Sequence, residues 1–326
     1  MIHLAIRALR RLEITLLCGA AIVCATHAHA QYPDRAVRLV VGYAPGGSVD
    51  TLARIVARHL SDKWAKGVIV ENRPGADSNL AAEAVAKSAP DGYTVFVSSN
   101  AFAMAAAQNA FTFDPAKSFA PIMLVASVPN VLVINASLAS VQSPRDLIAL
   151  ANARPGALNF GTSGAGSPAF LQMTQLMQQT HTRMLEISYK GAGPALIALV
   201  TGEIQLMFAS VTGAMPLIDA RKLKALAVST KMRSPLLPNV PAVAEALKIP
   251  FDEPGTWIGF LAPAATPEAV ISKFRKDVAD TLQTPAIQRT LSERGFVTLD
   301  QGPAPFAAFI KSETAKSARL LQSMNR

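Results

Sequence analysis

Glycines at the heads of helix-like segments are the residues of this chain best placed to do chemistry. In VVGYAPGGSVDTLARIVARHL, Val40 to Leu60, an apolar run passes through Pro45, Gly46 and Gly47 into a helical pattern. The same unit of strand, glycine turn and helix recurs at LNFGTSGAGSPAFLQMTQLM and at ISYKGAGPALIALV. The first N–H groups of a helix have no internal partner and point outward, so bare backbone there lets an anion approach and be held. Three readings stand side by side: a phosphate site, a carboxylate site, or a tight turn with no ligand. Ser48, Asp50 and Ser167 suit helix caps, and Pro194 suits the first position of a helix. Capping accounts for these residues without accounting for so many glycines.

Side-chain chemistry is thin by comparison. With residues 1–30 set aside as a leader, His59 and His181 are the histidines that remain, and no cysteine is left. A zinc or transition-metal site would then rest on carboxylates alone, and no metal is expected. Both histidines read as solvated residues near helix ends. GYAPGGSVDT lacks the lysine that completes a phosphate loop, and GTSGAGSPAF lacks G-x-G-x-x-G spacing, so no nucleotide cofactor is expected. A serine hydrolase is the enzymatic alternative, because Ser163 sits in a sharp turn after a strand. Yet Gly161, Thr162, Ser163, Gly164, Ala165 and Gly166 put the second glycine one place late for a nucleophile elbow. The remaining reading is a small anion held by backbone, since neither YAPGGSVD nor TSGAGSP contains lysine or arginine. Hydrogen bonds to a charged group contribute about 1.5 to 3 kcal/mol each. Helix ends add about 0.3 to 1 kcal/mol each, so several together reach the roughly 8 kcal/mol of a micromolar ligand.

The elements that must position these turns follow an α/β pattern. Strand candidates are VRLVV, GVIVE, TVFVS, APIMLVA, NVLVI, LNFGT, LEISY, IQLMF, LKALAVS and WIGFLAP. Helix candidates lie at 48–61, 78–88, 144–153, 168–180, 194–202, 241–247 and 267–283. In the first of them Leu52, Ile55, Val56 and Leu60 share one face, which should pack on a sheet. No flexible linker or low-complexity segment interrupts the pattern. In open α/β sheets ligands bind beyond the carboxyl ends of strands, where these turns sit.

The amino end indicates the compartment. Arg7, Arg10 and Arg11 precede the apolar run ITLLCGAAIVCA, and AHA at residues 28–30 has the form that signal peptidase cuts. The mature chain is therefore expected to begin at Gln31, in the periplasm. Cys18 and Cys24 follow Leu17 and Val23, which are too large for a lipoprotein site, and RRLEI matches a twin-arginine signal poorly. Without cysteines the exported chain must rely on its core for stability. The 326 residues carry a net charge of +9, which becomes +7 once Arg7, Arg10, Arg11 and Glu13 are removed. The basic residues are scattered among few aromatics, which argues against a nucleic-acid partner.

Six blocks, in order, carry a family resemblance: YPDRAVRLVVGYAPGGSVDTLARIVARHL, VIVENRPGADSNLAAEAVAKSAPDGYTV, LNFGTSGAGSPAFL, SYKGAGPALIALVTGEI, LPNVPAVAEA and WIGFLAPAATP. They resemble the tripartite tricarboxylate transporter receptors, the Bug or TctC family of periplasmic solute-binding proteins. The resemblance implies a two-domain hinged α/β fold of the Venus-flytrap kind, each domain a mostly parallel sheet flanked by helices. It closes on a small carboxylate or related compound without catalysis, and one large and one small integral membrane subunit receive the ligand. Carried onto this chain, the first-domain turn supplies Tyr43, Ala44, Gly46, Gly47 and Asp50. The second supplies Ser163, Gly164, Gly166 and Ser167, and a third turn adds Gly191, Ala192 and Gly193. Asp50 either touches ligand or orders its turn; Lys190 reads as structural or exposed.

Three departures from the family pattern stand out. Phe170 replaces a common histidine and either packs in the core or makes the pocket more apolar. Gln205 stands in the position of an aspartate, and Asp77 and Ser78 replace two glycines. The expected division is a first domain of residues 31–127 plus 256–326 and a second of 128–255. The chain is expected to be a monomer. A ligand sensor that reports to a periplasmic signalling domain would use the same pocket, so the sequence leaves that alternative open.

Overall fold

Short apolar strands and amphipathic helices alternate along the computed structural model, which describes residues 32–164, 166–253 and 255–324. The expected leader lies outside these residues. The chain opens with β1 (Val37–Val41), α1 (Ser48–Trp64), β2 (Val68–Asn72), a 3-10 turn (Ala76–Ser78), α2 (Asn79–Ala86) and β3 (Thr94–Ser98). Then come α3 (Asn100–Ala107), α4 (Pro115–Ser118) and β4 (Phe119–Val128). After Pro129 follow β5 (Asn130–Asn135), α5 (Pro144–Ala153), β6 (Asn159–Thr162), α6 (Pro168–Thr180), β7 (Leu185–Ser188) and α7 (Ala192–Thr201). Next are β8 (Leu206–Ser210), α8 (Val211–Asp219), β9 (Leu223–Val228) and α9 (Val243–Leu247). The chain returns through β10 (Thr256–Pro263), α10 (Glu268–Gln283), α11 (Pro285–Glu293) and β11 (Val297–Gln301) to α12 (Pro303–Met324).

Two sheets result, one in each lobe. The first has the order β11-β4-β10-β3-β1-β2 and the second β7-β6-β8-β5-β9. β1 runs parallel to β2 and β3, whereas β10 is antiparallel to β3 and β4, and β11 to β4. In the second sheet β6 is parallel to β7 and β8, while β5 is antiparallel to β8 and β9. The two-lobed α/β architecture is the one expected, but the sheets are mixed rather than mostly parallel. The cause is connectivity: β5 and β10 each enter their sheet from the opposite lobe and so run against strands returned by βαβ crossovers.

Alternation explains how a single strand serves two cores. In β5, Val131 and Val133 join one buried cluster with Met207, Ala209 and Leu199. Leu132 and Ile134 join another with Phe160, Phe208 and Met173. In the first lobe, Phe96, Phe102 and Phe119 are buried together, the last two edge-to-face with ring centroids 5.5 Å apart. Leu52, Val56 and Leu60 of α1 are fully buried, as their spacing predicts, with Ile55 at the margin of that stripe.

The lobes are joined where β4 runs into β5 and where Gly255 leads into β10. Thr256 pairs with Val128, so the two connections lie side by side. Gly255 has φ +92°, and a methyl carbon built on it would meet the Val128 carbonyl oxygen at 2.1 Å, so only glycine fits. Asn100 clamps this place: its Nδ2 donates to the Gly255 carbonyl at 3.2 Å and its Oδ1 accepts from the Trp257 N–H at 3.1 Å. Lys316 on α12 adds an ion pair to Glu253 at 2.9 Å.

Candidate functional site

The first glycine turn, between β1 and α1, is built around a buried carboxylate. Asp50, 4% exposed, accepts from the Gly46 N–H at 3.1 Å, from Arg54 Nε at 3.0 Å and from Asn72 Nδ2 at 2.9 Å. Asn72 Nδ2 also donates to the Tyr43 carbonyl at 2.9 Å, so the start and end of the turn are tied to one scaffold. Burial alone would raise the Asp50 pKa, but the hydrogen bonds from Arg54, Asn72 and the Gly46 N–H outweigh it and hold the group below its usual range. Asp50 therefore orders the turn, one of the two roles its sequence position allows. The Tyr43 ring is buried and its hydroxyl shares a 2.7 Å hydrogen bond with Ser99 Oγ. Burial pushes the Tyr43 phenol up to about 12, with the Ser99 hydrogen bond pulling against this and the charge of Asp77 adding to it.

The second turn, between β6 and α6, is shaped by its own hydroxyls. Thr162 Oγ1 accepts from the Gly164 N–H at 3.2 Å and donates to Glu186 at 2.6 Å. Ser167 is buried and caps α6, its Oγ accepting from the Phe170 N–H at 3.3 Å. Gly164 takes φ +112°, a conformation that favours glycine. Phe170 is half-buried on the first turn of α6, outside the stripe of Ala169, Met173 and Leu176 that packs into the core. Gln205 stands at the far end of β6, where its Oε1 accepts from the Asn159 N–H at 2.9 Å.

Across the cleft the turns meet in three places. The Ala44 N–H donates to the Lys190 carbonyl at 3.0 Å, while the Lys190 side chain is exposed. Methyl carbons built on Gly191 and Gly193 would lie 3.0 Å from Ala44 N and 2.6 Å from the Pro45 carbonyl oxygen, and one on Gly47 would lie 3.7 Å from Ala192 Cβ. One built on Gly166 would reach 2.9 Å from Ala101 Cα and 3.1 Å from Met104 Cβ on α3. At the third contact, the Asp77 carboxylate lies over Gly164. Bare backbone in these turns therefore lets the two lobes approach to contact distance.

Ala44, Gly46, Gly47, Gly191, Ala192 and Gly193 thus form one contact between the lobes, while Tyr43 packs within the first lobe against Ser99. Gly164 and Gly166 belong to the other two, with Ser163 partly buried between β6 and Gly164. The residues alone did not single out Asn72, Ser99, Ala101 and Met104, and marked Thr162 only as a place in the glycine spacing. Ser99 to Met104 form another strand-to-helix junction, VSSNAFAM, whose lack of glycine removed the signal. A separate cavity of about 1020 Å³ lies between α3, α4 and α12, lined by Phe102, Phe111, Phe113 and Ile310; none of the glycine turns lines it.

The fold has counterparts among known proteins. The family model described as tripartite tricarboxylate transporter family receptor matches residues 52–326. Protein BugT of Bordetella pertussis is 32% identical over 313 residues, which covers 95% of each chain. Among solved structures, an R. palustris protein with adipate superposes with a TM-score of 0.85 at 31% identity, covering 89% of this chain and 97% of that one. MatC from Rhodopseudomonas palustris with bound malate superposes at 0.83 and 28% identity, covering 89% and 99%. The chain belongs to the tripartite tricarboxylate transporter receptor family of periplasmic solute-binding proteins.

Proposed function

We propose that this receptor captures a small carboxylate or related compound between its lobes and delivers it to a tripartite transporter with one large and one small membrane subunit. The observation that carries the reading is the meeting of glycine turns from both lobes, where the Ala44 N–H already bonds the Lys190 carbonyl. The turns there present little but backbone to the space between the lobes, and two of the similar solved structures hold adipate and malate. The ligand would contact Tyr43, Ala44, Gly46 and Gly47 on one side and Ser163, Gly164, Gly166, Phe170, Gly191, Ala192 and Gly193 on the other. Asp50 and Ser167 would set the shape of their turns. Ligand contact with both lobes favours the closed form, and that difference is what a membrane partner reads.

The division at residues 127/128 and 255/256 is supported by the place where β4 and β10 end their pairing, at Val128 and Thr256. The chain acts as a monomer, starts at Gln31 after export and performs no catalytic step. His181, the histidine nearest Ser163 in sequence, follows the last residue of the 13-residue α6. At about 1.5 Å per residue that places it roughly 20 Å along the helix from the turn, too far to serve as a base.

Native mass spectrometry of the protein as purified tests the reading. A carboxylate bound one to one is the expected result. An empty protein that gains no thermal stability across mono- and dicarboxylates would overturn it.

A further inference from the structure

The cavity between α3, α4 and α12 measures about 1020 Å³, at the upper end of the range of small-molecule sites. One of its walls is made by Phe102, Phe111, Phe113 and Phe119, which hold one another in place. The rings of Phe102 and Phe111 lie 5.4 Å apart, those of Phe111 and Phe113 4.9 Å, and those of Phe113 and Phe119 6.0 Å. Phe102 and Phe119 are buried, whereas Phe111 and Phe113 keep part of their surface open. The segment that carries this open pair is pinned at its end by Asp114, whose carboxylate accepts from the Ala116 N–H at 3.0 Å and pairs with Lys117 at 3.4 Å.

The opposite wall, α12, leaves room instead of filling it. Ala307, Ala315 and Ala318 line the cavity at helical spacing, and Ile310 is the one large apolar side chain that α12 adds to the lining. Protein interiors are close-packed, so a hollow of this size against phenylalanine rings leaves apolar surface for something else to cover. Polar groups on the lining are few, and most are engaged. Thr314 Oγ1 donates to the Ile310 carbonyl at 2.9 Å, and Asp114 is held by the head of α4. The side chains of Lys311 and Asn109 are exposed at the mouth and have no partner among the described residues. Lys311 therefore supplies the charge on this lining that is not already paired.

We propose that this cavity is a second binding site, separate from the cleft between the lobes, and that it takes a free amphipathic monocarboxylate such as a medium-chain alkanoate. The apolar body lies between the phenylalanine wall and the alanine stripe, and the carboxylate stays at the mouth beside Lys311 and Asn109. Burial of the chain supplies the affinity, in proportion to the apolar area removed from water. The ion pair at the exposed mouth contributes little to affinity but selects the sign of the end group. The site does not depend on the receptor reading, because none of the glycine turns lines it.

The test is calorimetric titration with octanoate, decanoate and dodecanoate, each below its micelle-forming concentration, and with decylammonium as the charge-reversed probe. Wild type should bind one alkanoate per chain, with affinity rising about fourfold per added methylene, the factor that about 0.8 kcal/mol represents. It should prefer decanoate to decylammonium by about threefold or more. Lys311→Glu should weaken decanoate binding and turn that preference toward decylammonium. Ala315→Trp should fill the space and lower decanoate affinity by about tenfold or more. Lys311→Glu alters only an exposed side chain, so it decides the matter if the tryptophan variant does not fold. Neither residue belongs to the glycine turns, so decanoate held between the lobes would bind all three proteins alike, which overturns the proposal. No binding, a flat chain-length series, or uptake of many molecules without saturation overturns it as well.

Discussion

At the scale of single residues, Asp50 shows how a turn of glycines becomes a rigid object. Its carboxylate gathers three donors from a backbone N–H, an arginine and an asparagine, so replacing it leaves all three to find new partners. Asp50→Asn should destabilise the fold by about 2 kcal/mol, a value reduced because the half-exposed Arg54 regains water. The pH dependence has a definite sign. The folded pKa lies below the unfolded one of about 3.9, so the stabilisation is complete above that range and is lost as pH falls through the folded value. Urea unfolding at neutral and acid pH should show the gap between wild type and variant closing in acid. A gap that stays constant would mean the carboxylate is not the source. The glycines at 46, 47, 164, 166, 191 and 193 were legible in the sequence as a group. The residues that brace the turns were not, because Asn72 and Ser99 are ordinary polar residues until the fold brings them to Asp50 and Tyr43.

Elements were legible where one face is buried and the other wet. Ten strands and seven helices could be read from their periodicity, and each has a counterpart within a few residues. Among the elements without a candidate, α3 and β11 have clear physical causes. In α3, Asn100 through Ala105 are all buried, so no polar face reveals a helical period. The edge strand β11, VTLDQ, is largely solvated and lacks a clear apolar side. The misjudged sheet pairing is of another kind, since strand direction depends on which lobe the chain arrives from. Element packing also supplies a test of closure. Gly166 lies against Ala101 and Met104 of α3, so Gly166→Val should wedge α6 and α3 apart in the closed form while leaving each sheet intact. We expect affinity for the identified ligand to fall by about tenfold or more, with the unfolding free energy changed by less than about 1 kcal/mol. Titration and urea unfolding of the same sample separate the two effects; an unchanged affinity would show that the Gly166 contact is not needed for capture.

For the whole molecule, the double connection governs how the lobes move. Asn100 holds the Gly255 carbonyl and the Trp257 N–H, both buried beside the crossing. Asn100→Ala should cost about 1 to 3 kcal/mol, the penalty for leaving such groups unpaired, and a lowered thermal midpoint would register it. Gly255→Ala should cost a similar amount, roughly 1 to 3 kcal/mol, because it forces a left-handed backbone on a residue with no room beside Val128. Small-angle scattering would then show a shifted balance of open and closed forms. A Gly255→Ala protein with wild-type scattering and stability would argue against a strict fit at this point.

The place of β10 has a bearing on how the protein is made. It fills the gap between β3 and β4, yet it begins only at Thr256, whereas β5 to β9 come from one uninterrupted stretch ending at Val228. As the chain emerges from its amino end, the lobe begun second has all its strands first. The lobe begun first waits with a vacancy at its middle and two unpaired strand edges facing it. Synthesis and completion therefore run in opposite orders. Until β10 arrives, the facing edges of β3 and β4 lack their partner and leave the first sheet open to pairing with other chains.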